Sequence, residues 1–254
     1  MKEFKMAIAA LMLSATAMLV VGCKKPNIVG GGTHNGHEYI DLGLPSGTLW
    51  ATCNVGADAP EEYGDYFAWG ETEPKLAYQW SNYKYCNGSG GEDEYSDDGW
   101  KKLTKYCTDS EYGDNGFTDG LSTLLPEDDA ATANWGDGWC MPSKTQMDEL
   151  VENTSFKWTT LNGVNGVLFK SRNGNGLFLP AVGYRMDNGL HTDGEDGAYW
   201  LNSNCSSIYP EMSNPCNAEN CHVRQYASGT YYINISYGGN RCFGFAVRPV
   251  CSAR

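Results

Sequence analysis

The chain has 254 residues and a formal net charge of −13, from 31 Asp and Glu against 18 Lys and Arg. A chain this acidic is repelled by nucleic-acid phosphates and by anionic lipid, which excludes both as electrostatic partners. Its 31 glycines are about 12% of the residues against ~7% in an average protein, and with few long amphipathic stretches the chain reads as loop-rich, with strand exceeding helix.

Residues 1–22 form a targeting segment rather than part of the fold. Lys2 and Lys5 precede an apolar run, residues 7–21, that is too short to span a bilayer comfortably. The run closes on Leu19-Val-Val-Gly-Cys23, which resembles the lipobox of bacterial lipoproteins, where the cysteine is acylated and becomes the new N-terminus. An ordinary secretory signal and a short membrane anchor are the alternatives. Residues 23–36, with Pro26 and three successive glycines, read as a lipidated flexible tether in which His34 is a solvated linker residue like the adjoining His37. A lipid-anchored place in the cell envelope follows as the expectation, with the outer membrane as its seat. Which face of that membrane the protein occupies is left open.

Residues 37–254 read as a single domain. Residues 38–56 predict two short strands joined by a Pro45-Ser46-Gly47 turn. Residues 60–73 are dense in aromatics without a clean period and predict a short helix or a packed loop. Between Glu92 and Asp129 there are twelve Asp or Glu against three Lys. Such a run is ordinarily a solvated surface loop. The sharper alternative is calcium, with Asp109, Asp114 and Asp119 as candidate ligands beside Glu111 and Asn115, although their spacing is not that of an EF-hand. No other cofactor is expected.

Pro126-Glu-Asp-Asp-Ala-Ala131 predicts a helix start, with proline first and acids facing the dipole. Trp135-Gly-Asp-Gly-Trp139-Cys-Met-Pro142-Ser143 predicts a tight turn leading into a second helix, capped by Ser143 with Gln146 returning the bond. Met147, Leu150 and Val151 form its apolar face. Strands and hairpins follow: residues 156–160 and 167–169 around Asn162-Gly163, residues 177–184 after Asn173-Gly-Asn-Gly176, then 198–201, 231–237 and 243–250.

Ten cysteines in an exported chain read as disulfides first. With Cys23 acylated an odd number remains, and Cys86 with Cys107, flanking the acidic insertion, is the expected bridge. Cys205, Cys216, Cys221 and His222 can be drawn as a zinc site, but their spacings match no strong zinc pattern.

Three clusters together resemble the Fibrobacter succinogenes major paralogous domain family of bacterial envelope proteins. They are Asp41-Leu-Gly-Leu-Pro-Ser-Gly-Thr-Leu-Trp-Ala-Thr-Cys-Asn-Val-Gly-Ala57 with Gly64-Asp-Tyr-Phe-Ala-Trp-Gly-Glu-Thr72; Pro126-Glu-Asp-Asp-Ala-Ala131 through Trp139-Cys-Met-Pro142; and Phe178-Leu-Pro-Ala-Val-Gly-Tyr-Arg185 with Val247-Arg-Pro-Val250. The resemblance implies an α+β, C-type-lectin-like fold: small twisted antiparallel sheets, one or two short helices and long disulfide-bridged loops. Cys140 stands where the family usually has Arg, and Asn153-Thr-Ser155 where many relatives carry a cysteine, so the family's disulfide pattern does not carry across intact. The calcium-dependent sugar motifs of that wider fold are not matched by Glu73-Pro74-Lys75 or Trp200-Leu-Asn202.

Function at this level divides three ways. A binding or adhesion module for a glycan or protein is the leading expectation, because residues 199–241 are crowded with Tyr, Asn and Ser, the composition of adaptable recognition loops. Trp200, Tyr209, Tyr226, Tyr231 and Asn240 are the candidate ligand contacts; the alternative for each is an ordinary strand aromatic or turn residue. A structural or assembly subunit of an envelope complex is the second reading. An enzyme is the third: no hydrolase, phosphate-loop or dinucleotide motif is present, leaving Cys140 or Cys242 as reactive thiols only if the chain resembles the formylglycine-generating enzymes.

Overall fold

The computed structural model describes residues 31–87, 102–205, 215–235 and 238–252. Four short strands come first: β1 (Gly31–His34), β2 (His37–Asp41), β3 (Thr48–Ala51) and β4 (Tyr66–Phe67). Helix α1 (Ala130–Trp135), β5 (Trp139–Cys140) and helix α2 (Lys144–Asn153) follow the acidic segment. Next are β6 (Thr154–Leu161), β7 (Val164–Ser171), β8 (Gly176–Pro180), β9 (Tyr184–Met186), β10 (Gly189–His191) and β11 (Asp196–Asn204). The last five are β12 (Asn217–Gln225), β13 (Tyr231–Ile235), β14 (Gly239–Asn240), β15 (Phe245–Ala246) and β16 (Val250–Ser252).

These strands make a five-stranded sheet in the order β1-β2-β3-β16-β5, a six-stranded sheet β13-β12-β11-β15-β4 with β14 also on β12, a three-stranded meander β6-β7-β8 and the hairpin β9-β10. The expected α+β, C-type-lectin-like fold is therefore corrected. The described residues are 42% strand and 13% helix, in several sheets with a half-barrel, and only two α-helices are present. The reason is that almost everything after α2 pairs as strand, and the aromatic segment 60–73 supplies the two-residue strand β4 rather than a helix. Strand pairing reaches into the residues read as tether. The glycines read as tether contribute β1, which pairs with β2 from Gly31↔Ile40 to His34↔His37.

Where signals are local, the chain does what they dictate. Ser143 caps α2 by accepting from Gln146 N (3.3 Å), while Gln146 Oε1 accepts from Ser143 N (2.9 Å). Met147 and Leu150 are fully buried and Val151 packs against the same core. Pro126 opens a 3-10 turn, and α1 proper is capped by Asp129, whose Oδ1 accepts from Ala131 N (2.9 Å) and Thr132 N (3.0 Å) and whose Oδ2 accepts from Met141 N (2.8 Å). At the β6–β7 turn, Asn162 and Gly163 have φ of 48° and 88°, the left-handed pair that a type I′ hairpin needs.

The motifs behind the family resemblance are scaffold. Arg248 is fully buried and ties the C-terminal strand to the first motif, donating from Nε to Asn54 Oδ1 (2.8 Å) and from Nη1 to Thr52 O (2.9 Å). Arg241 is equally buried, lies over the Trp69 ring at 4.5 Å and donates to Tyr106 O (2.8 Å). Trp69 itself donates to Leu201 O (2.8 Å). Gly64 has φ of 72°, and a Cβ there would stand 2.3 Å from the Val55 carbonyl oxygen. Gly64→Ala is expected to cost about 2–3 kcal/mol, from the left-handed backbone and the clash together. Gly163→Ala, equally left-handed but with nothing within 4 Å, is expected to cost only about 1 kcal/mol. Urea denaturation of the two variants checks the difference.

Candidate functional site

The six-stranded sheet is buried on both faces along β4, β15 and most of β11, and alternation between buried and partly exposed residues appears at the Arg224 end of β12. Cys221 and Val223 are fully buried, whereas His222 and Arg224 are partly exposed on the other side. Across the ladder, His222 is opposite Ala198 on β11 and Asn234 on β13, and Arg224 is opposite Asp196 and Tyr232. These residues share one face of the ladder, on which Asp196 and Ala198 are buried. The same alternation disposes of the zinc drawing, since Cys221 and the adjacent His222 point to opposite sides of the sheet.

One end of this face is aromatic. Tyr226, at the start of the β12–β13 turn, is 49% exposed and stacks on Tyr232 with ring centroids 5.1 Å apart. The Arg224 guanidinium lies 5.5 Å over the Tyr226 ring. Burial works against the Arg224 charge, but Asp196 and the Tyr232 phenol outweigh it and raise its pKa. Burial also raises the Tyr232 phenol, with Tyr226 beside it.

The middle is a buried carboxylate holding an imidazole. Asp196 is 3% exposed, and both its oxygens lie 3.0 Å from His222 Nδ1. A carboxylate there requires the proton on Nδ1, which fixes the ring's orientation. The His222 ring meets Phe245 edge-on at 5.8 Å.

The far end is aromatic again. Tyr184 on β9 stacks between His191 on β10 (5.3 Å, 22°) and Phe243 (6.0 Å, 29°), and meets Phe245 edge-on at 6.0 Å. Tyr184, His191 and Phe243 are all partly exposed. Backbone bonds between Arg185 and Gly244, at 2.8 and 2.9 Å, hold the β9–β10 hairpin against the sheet here.

Of the residues expected from sequence, Tyr226 belongs to this face and is its most exposed aromatic. Trp200 is a correction. It lies on the same sheet but is fully buried, donating from Nε1 to Phe67 O (2.7 Å) and stacked beneath Phe245 at 4.0 Å. Tyr231 is 36% exposed but alternates to the opposite side from Tyr232 and meets Phe156 edge-on at 6.3 Å. Asn240 pairs with Asn217 at the other end of β12 from Arg224, on the order of 25 Å away at ~3.3 Å per residue. Tyr209 and Cys23 lie outside the described residues. Tyr232, Arg224, His222, Asp196, Tyr184 and Phe243 were missed; the Asn-x-His-x-Arg alternation in residues 220–224 was the available signal.

The calcium candidates are not gathered. Asp109 accepts from Glu111 N (2.9 Å), Asp114 from Asn87 Nδ2 (2.8 Å), and Asp119 from Tyr106 N (2.7 Å), Cys107 N (2.9 Å) and Leu121 N (3.0 Å). They serve as loop-closing acceptors. Among the described residues no group of three or more His, Cys, Asp or Glu is placed to hold a metal ion.

Cys107 donates its thiol to Asp109 O (3.0 Å), and Cys86 and Cys107 both neighbour Cys216, whose pKa is pushed up to about 12 by burial, against the pull of Arg241. Burial likewise pushes Cys140 up to about 12, and Cys242 is fully buried.

A concavity of about 450 Å³ opens on the five-stranded sheet, lined by Thr33, Tyr39, Leu49, Asp137, Cys251 and Ser252. The histidines beside it are packed rather than solvated: His37 stacks flush on Trp135 (3.9 Å, 6°), and His34 Nε2 lies 2.9 Å from Asp137 O. Burial lowers the His37 pKa.

Among the described residues no helix is long and apolar enough to cross a membrane. Comparison with protein-family models, with curated proteins and with solved structures finds no match for this chain.

Proposed function

We propose that this chain is a non-catalytic binding module of the cell envelope, tethered through lipid on Cys23, and that it recognises a glycan through the exposed side chains of β12, β13 and the turn between them. The single observation that carries the reading is Tyr226. This fold encloses Trp50, Trp69, Trp139 and Trp200 completely, yet leaves Tyr226 half exposed, stacked on Tyr232 and backed by Arg224. An aromatic ring held rigid at the surface, with a guanidinium and an imidazole alongside, offers a flat apolar face to sugar C–H groups and donors to their hydroxyls. The non-catalytic part is supported by the thiols: burial that pushes Cys140 up to about 12 keeps it protonated and unreactive at neutral pH.

The test is retention on an immobilised glycan array. Tyr226→Ala is expected to lower affinity about tenfold, a loss of ~1.4 kcal/mol, while its melting temperature stays close to that of the wild type. Wild-type protein that is retained by no glycan, or a Tyr226→Ala variant that binds as well as the wild type, would overturn the reading. Binding of an envelope protein at this face in place of any glycan would move it to the protein-docking alternative.

A further inference from the structure

We infer that Cys216 is a disulfide partner shared by Cys86 and Cys107. It bridges to one of them while the other stays a thiol within reach of the bond, and the two pairings interconvert. The inference is independent of the glycan reading. Three stretches of chain meet at Arg241. Its backbone N–H donates to Cys216 O (3.1 Å), and its buried guanidinium donates to Tyr106 O (2.8 Å), next to Cys107. Cys86 is carried in by pairing with Leu103, and the bond from Thr104 N to Tyr85 O (2.9 Å) continues that pairing. Cys107 and Cys216 belong to one hydrophobic core, and Cys86 packs against it. Cys216 is near enough to both for either thiolate to oppose its ionisation. One sulfur makes one disulfide, so the two neighbours compete for it.

Exposure gives the three cysteines different roles. Cys107 and Cys216 are fully buried and Cys86 is partly exposed, so an external disulfide such as oxidised glutathione meets Cys86 first. The Cys86 thiolate attacks it and one reduced glutathione leaves. The Cys216 thiolate then attacks Cys86 Sγ, the second glutathione leaves, and the Cys86–Cys216 bond is made. Two electrons and two protons pass from the protein thiols to glutathione. In the exchange step Cys107 attacks Cys216 Sγ. The Cys107–Cys216 bond forms as Cys86–Cys216 breaks, Cys86 takes up the proton that Cys107 gave, and no oxidant is consumed. The Cys107 thiol donates to Asp109 O (3.0 Å), the arrangement of the thiol left over when Cys216 is bridged to Cys86. Burial raises its pKa, while that hydrogen bond and the Arg241 charge pull the other way. Cys216 adjoins β12, so the exchange decides which flank of the acidic insertion is tied to that strand.

The experiment equilibrates the purified protein with reduced and oxidised glutathione, then quenches it with N-ethylmaleimide in denaturant. The linked peptides are mapped without reduction after cleavage by trypsin and a glutamate-directed protease, which separates Cys107 from Cys140 and Cys216 from Cys205 and Cys221. The expected result is two linkages, Cys86–Cys216 and Cys107–Cys216, populated within about tenfold of one another, with alkylated Cys107 and alkylated Cys86 recovered beside them. Cys86→Ser should collapse the mixture to Cys107–Cys216, and Cys107→Ala should collapse it to Cys86–Cys216. Melting under reducing conditions shows whether each variant is folded. Since Cys107 is buried, the wild-type map decides the question on its own if Cys107→Ala does not fold. Cys216 recovered wholly alkylated from oxidised protein, linked to any other cysteine, or linked to only one of the two partners in the wild type, overturns the inference. A folded variant that leaves Cys216 alkylated overturns it equally. A Cys86–Cys107 linkage with Cys216 alkylated would overturn it and restore the pairing expected from the sequence.

Discussion

Asp128→Ala is expected to lower the free energy of unfolding by about 3–5 kcal/mol, the range for removing one member of a buried ionic cluster. For a domain of this size that is a fall in melting temperature of about 10 °C. Asp128 is 3% exposed and lies in the 3-10 turn that opens the predicted helix start at Pro126. The Tyr85 hydroxyl donates to its Oδ1, and the Tyr106 hydroxyl donates to its Oδ2 (2.7 Å). Lys105 Nζ reaches Oδ2 (2.5 Å) and the more exposed Lys84 reaches Oδ1 (3.3 Å). The lysines can turn to solvent when the carboxylate is gone; the phenols cannot. Tyr106 is fully buried, with its oxygen also accepting from Leu125 N (3.0 Å). An unpaired buried donor is what makes the loss large.

The same cluster sets an acid limit. Burial raises the Asp128 pKa, but hydrogen bonds from Lys105, Tyr85, Tyr106 and Lys84 outweigh it and hold the carboxyl at about 2, below its ordinary 3.8. A carboxyl depressed on folding contributes stability that is complete above its unfolded pKa and lost as pH falls through the folded one. The window is therefore about pH 4 down to pH 2, and the contribution about 2 kcal/mol. Chemical denaturation of wild type and Asp128→Asn at pH 7, 4, 3 and 2 should show their difference shrinking by roughly that amount. A difference that stays constant across the series would mean the ionised, clustered carboxylate is not what Asp128 supplies.

What was legible in the sequence is what depends on neighbours in sequence. The Ser143 cap and its return bond from Gln146 need only three residues of spacing, and the Asn162-Gly163 turn needs two left-handed positions side by side. The fold class depends on pairings that no local pattern encodes. Strand β11 lies parallel to β15 through Tyr199↔Ala246, and β16 runs between β3 and β5 through Val250↔Trp50 and Val250↔Cys140. Strand β12 escaped notice for a different reason. Its sequence, Asn-Ala-Glu-Asn-Cys-His-Val-Arg-Gln, has one β-branched residue, and it is held as strand by β11 on one side and β13 and β14 on the other. Since β12 carries Arg224 and His222, most of the candidate site went unseen with it. Tyr226 was flagged because the composition of the C-terminal third picks out aromatic residues; Trp200 was flagged by the same signal, which carries no information about which way a strand residue faces.

Trp200→Ala follows as the sharpest test of that distinction, with an expected loss of about 3–5 kcal/mol, the cost of truncating a large buried aromatic. Read from sequence as a ligand contact, Trp200 should be dispensable to folding, and its alanine variant should melt like the wild type while binding nothing. Its position demands the opposite. The side chain is fully enclosed, its ring lies against Phe245 at 4.0 Å and 22°, and its Nε1 satisfies the Phe67 carbonyl at 2.7 Å. Alanine would open a cavity beneath the centre of the binding face and leave that carbonyl unpaired, adding ~1 kcal/mol or more. Trp200→Phe refills most of the volume without the donor and should recover more than half of the loss. Tyr226→Ala, only 5.5 Å from Arg224 on the same face, should by contrast change stability by less than about 1 kcal/mol. Urea denaturation of the three variants alongside glycan retention separates support from contact. Trp200→Ala should lose binding only with loss of fold, and Tyr226→Ala should lose binding with the fold intact. A Trp200→Ala protein as stable as the wild type would return Trp200 to the list of contacts and take Phe245 with it, because a ring that can be emptied from below without cost is not holding the face in place.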